Sequence, residues 1–221
     1  TKLFTAWSAL VAISRGLITL DAPAPFQGVT LEHLLSHASG MAMDEARLRR
    51  APGERRIYSN AGIEVAGQML EEATGSPISR WIEESVSEPL GLASVEIEGS
   101  PAYSGRANAA DLMVFARAEL LDLATTVHFP RLDGIVPGYG NFRPCPWGIG
   151  AEIKGDKQAH WTAPSSSGKT FGHFGQSGSF LWVDPLSGER AVFLGEEHFG
   201  PWHHANWSAL NEEILHAMRG Q

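Results

Sequence analysis

The sequence is poor in cysteine, in basic runs and in long apolar stretches. Its 221 residues contain a single cysteine, Cys145, so they cannot form an internal disulfide, and cysteine usage says nothing about compartment. Basic residues cluster only as Arg49-Arg50 and Arg55-Arg56, and the formal net charge is −8, which argues against nucleic acid and anionic membranes as partners. Residues 3–13 are the longest apolar stretch and are too short for a transmembrane segment.

What remains is the composition of a globular domain, with 43% hydrophobic and 19% charged residues. Helices are predicted at residues 3–15, 31–36, 61–73 and 78–86, after Asn108 and around 210–218. Strands are predicted at 147–153, 170–173, 179–183 and 191–195, whereas 129–146 is expected to be irregular. We therefore predict a sheet region formed by residues 1–29 and 126–221, with a helical region, 30–125, inserted in it, and a site in the groove between them.

Lys2 stands at the start of the apolar stretch, where its ammonium must be desolvated or paired. Chemistry can justify that cost, because a serine three residues earlier would lie on the same helix face, within reach of the amine. That position precedes Thr1. We therefore expect Lys2 to be the second half of a Ser-x-x-Lys motif whose serine lies outside this chain, with a frayed, solvated terminus as the alternative interpretation.

Several further motifs follow in order. They are VTLEHLLSHASGM at residues 29–41, Pro52-Gly53, Tyr58-Ser59-Asn60, EPLGL at 88–92 and His173-Phe174-Gly175. Together with Lys2 they resemble the serine β-lactamase-related family, which includes class C β-lactamases, penicillin-binding D-alanyl-D-alanine carboxypeptidases and related esterases. The resemblance implies an α/β (α+β) fold of the β-lactamase/transpeptidase type, an antiparallel sheet flanked by helices with an inserted all-helical region. The helix and strands that precede the serine in the family are expected to lie outside this chain.

The resemblance also implies catalytic roles for Lys2, Tyr58 and Asn60. Lys2 and Tyr58 would move the serine proton, and a nearby ammonium is expected to lower the pKa of the Tyr58 phenol. Asn60 would hydrogen-bond Lys2 and the substrate. Without the motif context, Tyr58 is interpreted as a packing residue and Asn60 as a helix cap.

His173, Gly175 and Gln176 are the predicted substrate and oxyanion residues. Gly175 allows a ligand to approach the backbone closely, and the Gln176 amide is a candidate oxyanion donor. His173 stands where dedicated β-lactamases of the family have the lysine of Lys-Thr-Gly, which weakens the case for β-lactam substrates. Ser166 and Ser177 lie in motifs that do not fit a nucleophile, and His33 and His37 are assigned to packing or capping rather than to zinc.

The sequence thus predicts a serine hydrolase that forms an acyl-enzyme with a lactam, peptide or ester, and that needs no metal or organic cofactor. Its partner would be a small-molecule or peptide substrate. We expect residues 1–221 to be inactive alone, because the nucleophile is outside them. An inactive or truncated member that only binds ligands is the alternative, and localisation and oligomeric state stay open.

Overall fold

The computed structural model describes residues 1–117 and 124–220. The helices are α1 (Lys2–Ser14), α2 (Leu31–Leu35), α3 (Asn60–Thr74), α4 (Ile78–Ile82), α5 (Glu88–Leu90), α6 (Ala109–Phe115) and α7 (Pro201–Arg219), and a π-helical turn, Glu83–Ser87, joins α4 to α5. The strands are β1 (Glu96–Ile97), β2 (Gly105–Arg106), β3 (Gly134–Val136), β4 (Gly140–Phe142), β5 (Glu152–Ile153), β6 (Phe171–Phe174), β7 (Phe180–Val183) and β8 (Arg190–Phe193).

Strands β5 to β8 form an antiparallel sheet in that order. All four residues of β7 are buried, and neighbouring residues face opposite sides. Leu181 and Val183 belong to the apolar cluster that includes Leu10 of α1. Phe180 and Trp182 belong to the cluster that includes Trp207 of α7. The sheet is therefore covered by α1 on one face and by α7 on the other, in agreement with the predicted mixed fold.

Helix α1 is buried on nearly every side, as its apolar sequence predicts. It packs against α3 and α4 and against the loop before β5. There, Gly150 has φ +78°, and a Cβ on it would lie 2.2 Å from the Cβ of Ala6. Glycine is required at this contact, which brings Lys2 close to the sheet.

Most predicted elements are present, although α7 begins nine residues before the predicted position 210, and three expectations were wrong. The predicted strand at 147–153 is reduced to β5, and residues 129–146 contain the β3–β4 hairpin. The helical segment predicted to end before Pro89 continues through it, and Pro89 comes just after the π-helical turn, where the helix changes its hydrogen-bond pattern.

Helices α2 to α6 lie within residues 31–115. The division into two regions stays a prediction, and residues 118–123 of the inserted region lie outside the described residues. Among the described residues, no helix combines the length and apolarity needed to cross a membrane.

Candidate active site

A cavity of about 560 Å³ opens beside the start of α1. All six residues predicted from the sequence line it, although they come from α1, the start of α3, β6 and the loop after β6. These residues are Lys2, Tyr58, Asn60, His173, Gly175 and Gln176. The fold therefore brings the predicted residues together around one cavity.

Lys2 is the first residue of α1 and only 5% exposed. Its Nζ donates hydrogen bonds to Asn60 Oδ1 at 2.7 Å and to the carbonyl oxygen of Ala102 at 2.8 Å. Burial lowers the pKa of Lys2 to about 8, although the carboxylates of Glu64 and Asp44 act in the opposite direction. Lys2 is therefore held in a fixed position and has an appreciable neutral fraction near neutral pH.

The alternative interpretation of Asn60 as a helix cap was wrong, because Asn60 does not cap α3. Ser59 is the cap, and its Oγ accepts a hydrogen bond from the Gly62 amide at 2.8 Å. The Asn60 side chain instead accepts from Lys2 through Oδ1 and donates through Nδ2 to Asp44 Oδ1 at 2.7 Å. Asp44 thereby fixes the amide so that its oxygen faces the lysine.

Tyr58 presents its ring face, not its hydroxyl, to the lysine. Lys2 Nζ lies 4.8 Å from the Tyr58 ring centroid. The Tyr58 hydroxyl lies 3.4 Å from His173 Nε2. Burial raises the pKa of Tyr58, and the carboxylates of Glu152 and Asp44 raise it further. The expected lowering by the ammonium is therefore not observed, because desolvation outweighs it, and the phenol is neutral in this state.

His173 lies on β6 opposite Leu181. Its Nδ1 lies 2.6 Å from the Phe174 carbonyl oxygen, so Nδ1 carries the proton and Nε2 accepts from Tyr58. Burial, followed by the charge on Lys2, lowers the pKa of His173 to about 3. His173 is therefore a neutral ring at physiological pH and supplies no cation to the cavity.

The loop after β6 is tied back on itself around Gly175 and Gln176. Gly175 donates its amide to the Ser179 carbonyl at 3.0 Å and accepts from the Gly178 amide at 3.1 Å. The Gln176 carbonyl accepts from the Phe199 amide at 2.9 Å. The Gln176 N–H donates to no group in residues 1–117 and 124–220, so it is a free backbone donor beside the cavity.

Two aromatic residues beside the site were not predicted as functional. Trp147 lines the cavity although it is only 3% exposed, and its Nε1 has no partner among the described residues. His37 packs its ring on Tyr58, with centroids 4.6 Å apart, and lies 5.1 Å from the Trp147 ring. Nothing local in the sequence marks Trp147, whereas His37 lies in the 29–41 motif.

The two alternative serines differ in position. Ser166 is buried, donates to the Ala163 carbonyl at 2.8 Å and accepts from Lys154 Nζ at 3.1 Å, away from the cavity. Ser177 is exposed and lines the cavity. Within the described part of the chain, no group of three His, Cys, Asp or Glu residues is placed to hold a metal ion.

Proteins similar to this chain include a β-lactamase, a carboxypeptidase/endopeptidase and an esterase. A β-lactamase of known structure from Mycobacterium bovis is 41% identical, with a TM-score of 0.95 over 98% of this chain and 84% of that chain. The D-alanyl-D-alanine-carboxypeptidase/endopeptidase AmpH of Escherichia coli is 25% identical over an alignment of 138 residues, gaps included, and the match covers 46% of this chain and 36% of AmpH. Esterase EstB of Burkholderia gladioli is 29% identical over an alignment of 139 residues, gaps included, and the match covers 42% of this chain and 35% of EstB.

The matches therefore span about a third of the length of these two curated relatives. The sequence model of the Beta-lactamase family, in contrast, matches residues 1–204, almost the whole chain. Because this model matches almost the whole chain and the fold agrees with that of a β-lactamase of known structure, the chain belongs to the Beta-lactamase family.

Proposed function

We propose that the full-length protein is a serine hydrolase that forms an acyl-enzyme, and that its nucleophile is a serine three residues before Lys2. The observation that carries the proposal is the placement of the Lys2 amine, which is buried, held by Asn60 and directed into the cavity beside Tyr58. A serine one turn before Lys2 would lie on the same face of the helix as the amine.

Lys2 is the general base in this proposal. With a pKa of about 8, roughly a tenth of the lysine is neutral at pH 7. The neutral amine takes the serine proton as the serine oxygen attacks the carbonyl carbon, and it becomes an ammonium. Hydrogen bonds to Asn60 Oδ1 and to the Ala102 carbonyl oxygen stabilise that ammonium.

Tyr58 is the general acid. Because its pKa is raised, the phenol is protonated at neutral pH and has a proton to give. It transfers this proton to the leaving group as the bond between carbonyl carbon and leaving group breaks. Because Lys2 faces the Tyr58 ring and not the hydroxyl, a water molecule that enters the cavity then relays a proton from the Lys2 ammonium to the phenolate. Both residues are restored and the serine carries the acyl group, which water releases.

Backbone amides would stabilise the negative charge on the carbonyl oxygen. The free Gln176 N–H is one candidate donor, and the amide of the proposed serine is the other. The assignment of the Gln176 N–H as a donor is supported by its position, because Gln176 lines the cavity in the loop around Gly175.

The neutral His173 favours substrates that carry no carboxylate beside the scissile bond. A cation at this position would form a charge-assisted hydrogen bond to such a carboxylate, and the neutral ring does not. Esters or uncharged amides fit the site better than penicillins or cephalosporins. The similarity to esterase EstB and to the peptidase AmpH supports both classes of acyl substrate.

The test is labelling of the full-length polypeptide and of residues 1–221 with a fluorophosphonate, read out by intact mass and peptide mapping. We expect one adduct on the full-length protein, at the serine three residues before Lys2, and none on residues 1–221. An adduct on Ser166 or Ser177 overturns the assignment. A full-length protein with no adduct and no turnover of any aryl ester, lactam or peptide supports the alternative, a ligand-binding unit without catalysis.

A further inference from the structure

His37 has a backbone conformation that is unusual for its residue type. Its φ is +57°, and it follows α2 directly after the cap residue Ser36. The Ala38 amide donates to the His33 carbonyl at 2.8 Å and the His37 amide to the Leu34 carbonyl at 3.2 Å, which is the hydrogen-bond pattern that commonly ends a helix at a glycine. A histidine here carries backbone strain, and such strain tends to cluster at functional sites.

His37 is bonded to the chain on both sides of Tyr58. Its carbonyl oxygen accepts from the Ile57 amide at 2.9 Å, and its Nδ1 accepts from the Ser59 amide at 3.2 Å. Between these two bonds the imidazole packs on the Tyr58 ring, with centroids 4.6 Å apart. Three separate contacts therefore hold the backbone and the ring of Tyr58. Glycine at position 37 would keep only the first of them.

The Nδ1 bond requires a neutral imidazole with its proton on Nε2, because a backbone amide can only donate. Burial keeps the pKa of His37 well below its usual value, and the positive charges of Lys2 and Arg56 act in the same direction. His37 Nε2 has no partner among the described residues. The ring therefore acts through Nδ1 and through its face.

The peptide that carries His37 is itself anchored. Buried Arg56 donates to the Ser36 carbonyl oxygen, and also to the carbonyl oxygens of Cys145 at 2.7 Å and His128 at 2.8 Å. His37 is thus a fixed support, since the bonds that place it do not involve Tyr58.

We propose that His37 is the positioning residue for Tyr58, which it holds through the Ser59 amide and the face of its imidazole. This inference rests on the proposed function, in which the phenol must meet the leaving group. His37 lines no part of the cavity and so does not touch the substrate.

Two substitutions in the full-length protein separate the contributions of His37. His37→Gly removes the acceptor and the ring but suits the left-handed backbone, so the fold should persist. His37→Asn places an acceptor oxygen where Nδ1 lies, and asparagine also tolerates this backbone conformation. The readouts are kcat and KM for an aryl ester, thermal melting, and the Tyr58 resonance in ¹³Cζ-tyrosine-labelled protein, assigned with Tyr58→Phe.

For His37→Gly we expect kcat to fall about 10²-fold at nearly unchanged KM, because small misplacements of a reacting group cost about that much. For His37→Asn we expect kcat about tenfold above that of His37→Gly, which is the effect of one restored hydrogen bond. The Tyr58 resonance should shift in His37→Gly and return toward the native position in His37→Asn, while those of Tyr103 and Tyr139 stay in place.

The inference is overturned if His37→Gly leaves kcat and the Tyr58 resonance unchanged, or if His37→Asn is no better than His37→Gly. A full-length protein that turns over no substrate refutes the proposed function instead. The Tyr58 resonance then still decides whether His37 positions the ring.

Discussion

The Lys2 ammonium lies over the face of the Tyr58 ring, 4.8 Å from its centroid, and donates its hydrogen bonds to Asn60 and Ala102 rather than to the phenol. The ring face attracts the cation, so the contact holds the two side chains together without ionising the tyrosine. This geometry separates their tasks, since Lys2 has the lowered pKa and Tyr58 the raised one.

Tyr58→Phe removes only the phenol oxygen, so the protein should fold normally while acylation of the full-length enzyme slows about 10²–10⁴-fold. Lys2→Ala should be at least as damaging. Acylation by the double variant should be slowed far less than the product of the two single effects, because the two residues act as one unit. Pre-steady-state acylation measures this, with thermal melts as the control for folding. Near-normal acylation by a folded Tyr58→Phe variant would show that Tyr58 only packs.

The acylation rate should depend on pH through Lys2. Because the base must be neutral, kcat/KM should fall about tenfold per pH unit below about 8 and level off above it. Glu64→Gln removes a negative charge that favours the ammonium, so the acid limb should move to lower pH.

Glu71→Gln is the matched control. Glu71 is also on α3, accepts a backbone hydrogen bond from Ile78 that glutamine can keep, and does not act on the pKa of Lys2. Its pH profile should equal that of the native enzyme. An acid limb near pH 10, or one that Glu64→Gln leaves in place, would contradict the role of Lys2 as base.

His173→Lys should change substrate preference. The native enzyme should turn over aryl esters faster than cephalosporins, and lysine at position 173 should raise kcat/KM for the carboxylate-bearing substrate by about one to two orders of magnitude, the effect of one charge-assisted hydrogen bond. His198→Lys adds the same charge to an exposed residue that does not line the cavity, and is the control. Equal native efficiency on both substrates would refute the preference.

Substitution of Glu152 by glutamine should have a large effect on the free energy of unfolding. Its buried carboxylate lies 3.1 Å from both Lys157 Nζ and His160 Nε2 and accepts from Trp161 Nε1 at 2.8 Å. Glu152→Gln leaves the Lys157 charge buried and unpaired, which should lower the free energy of unfolding by about 3–5 kcal/mol.

Urea unfolding measures the effect of Glu152→Gln. The control is Glu45→Gln, which breaks an exposed ion pair with Arg47 and should change the unfolding free energy little. If the two variants are equally stable, the buried pair contributes no more than an exposed one.

Local sequence was sufficient for the elements whose signals are local. The apolar run after Lys2 predicted a buried helix, Thr30 and Asn108 predicted helix starts, and residues 179–183 were predicted as a strand, which is β7. The order of the motifs indicated the family and the residues around the cavity. The β3–β4 hairpin was not predicted. Its two strands are short and each begins with glycine, so their strand conformation depends on pairing with each other rather than on a local sequence signal.

What the sequence by itself determined is which residue types are present and where the helices and strands with strong local signals lie. Only the tertiary structure decided the protonation states of the site residues and which residues are their neighbours in space. The pKa of Tyr58 is raised rather than lowered because burial by distant segments outweighs the nearby ammonium. The placement of His37 beneath Tyr58 likewise depends on a loop and a helix start that meet only in the folded chain. Desolvation and packing are sums over neighbours in space, and sequence order does not specify those neighbours.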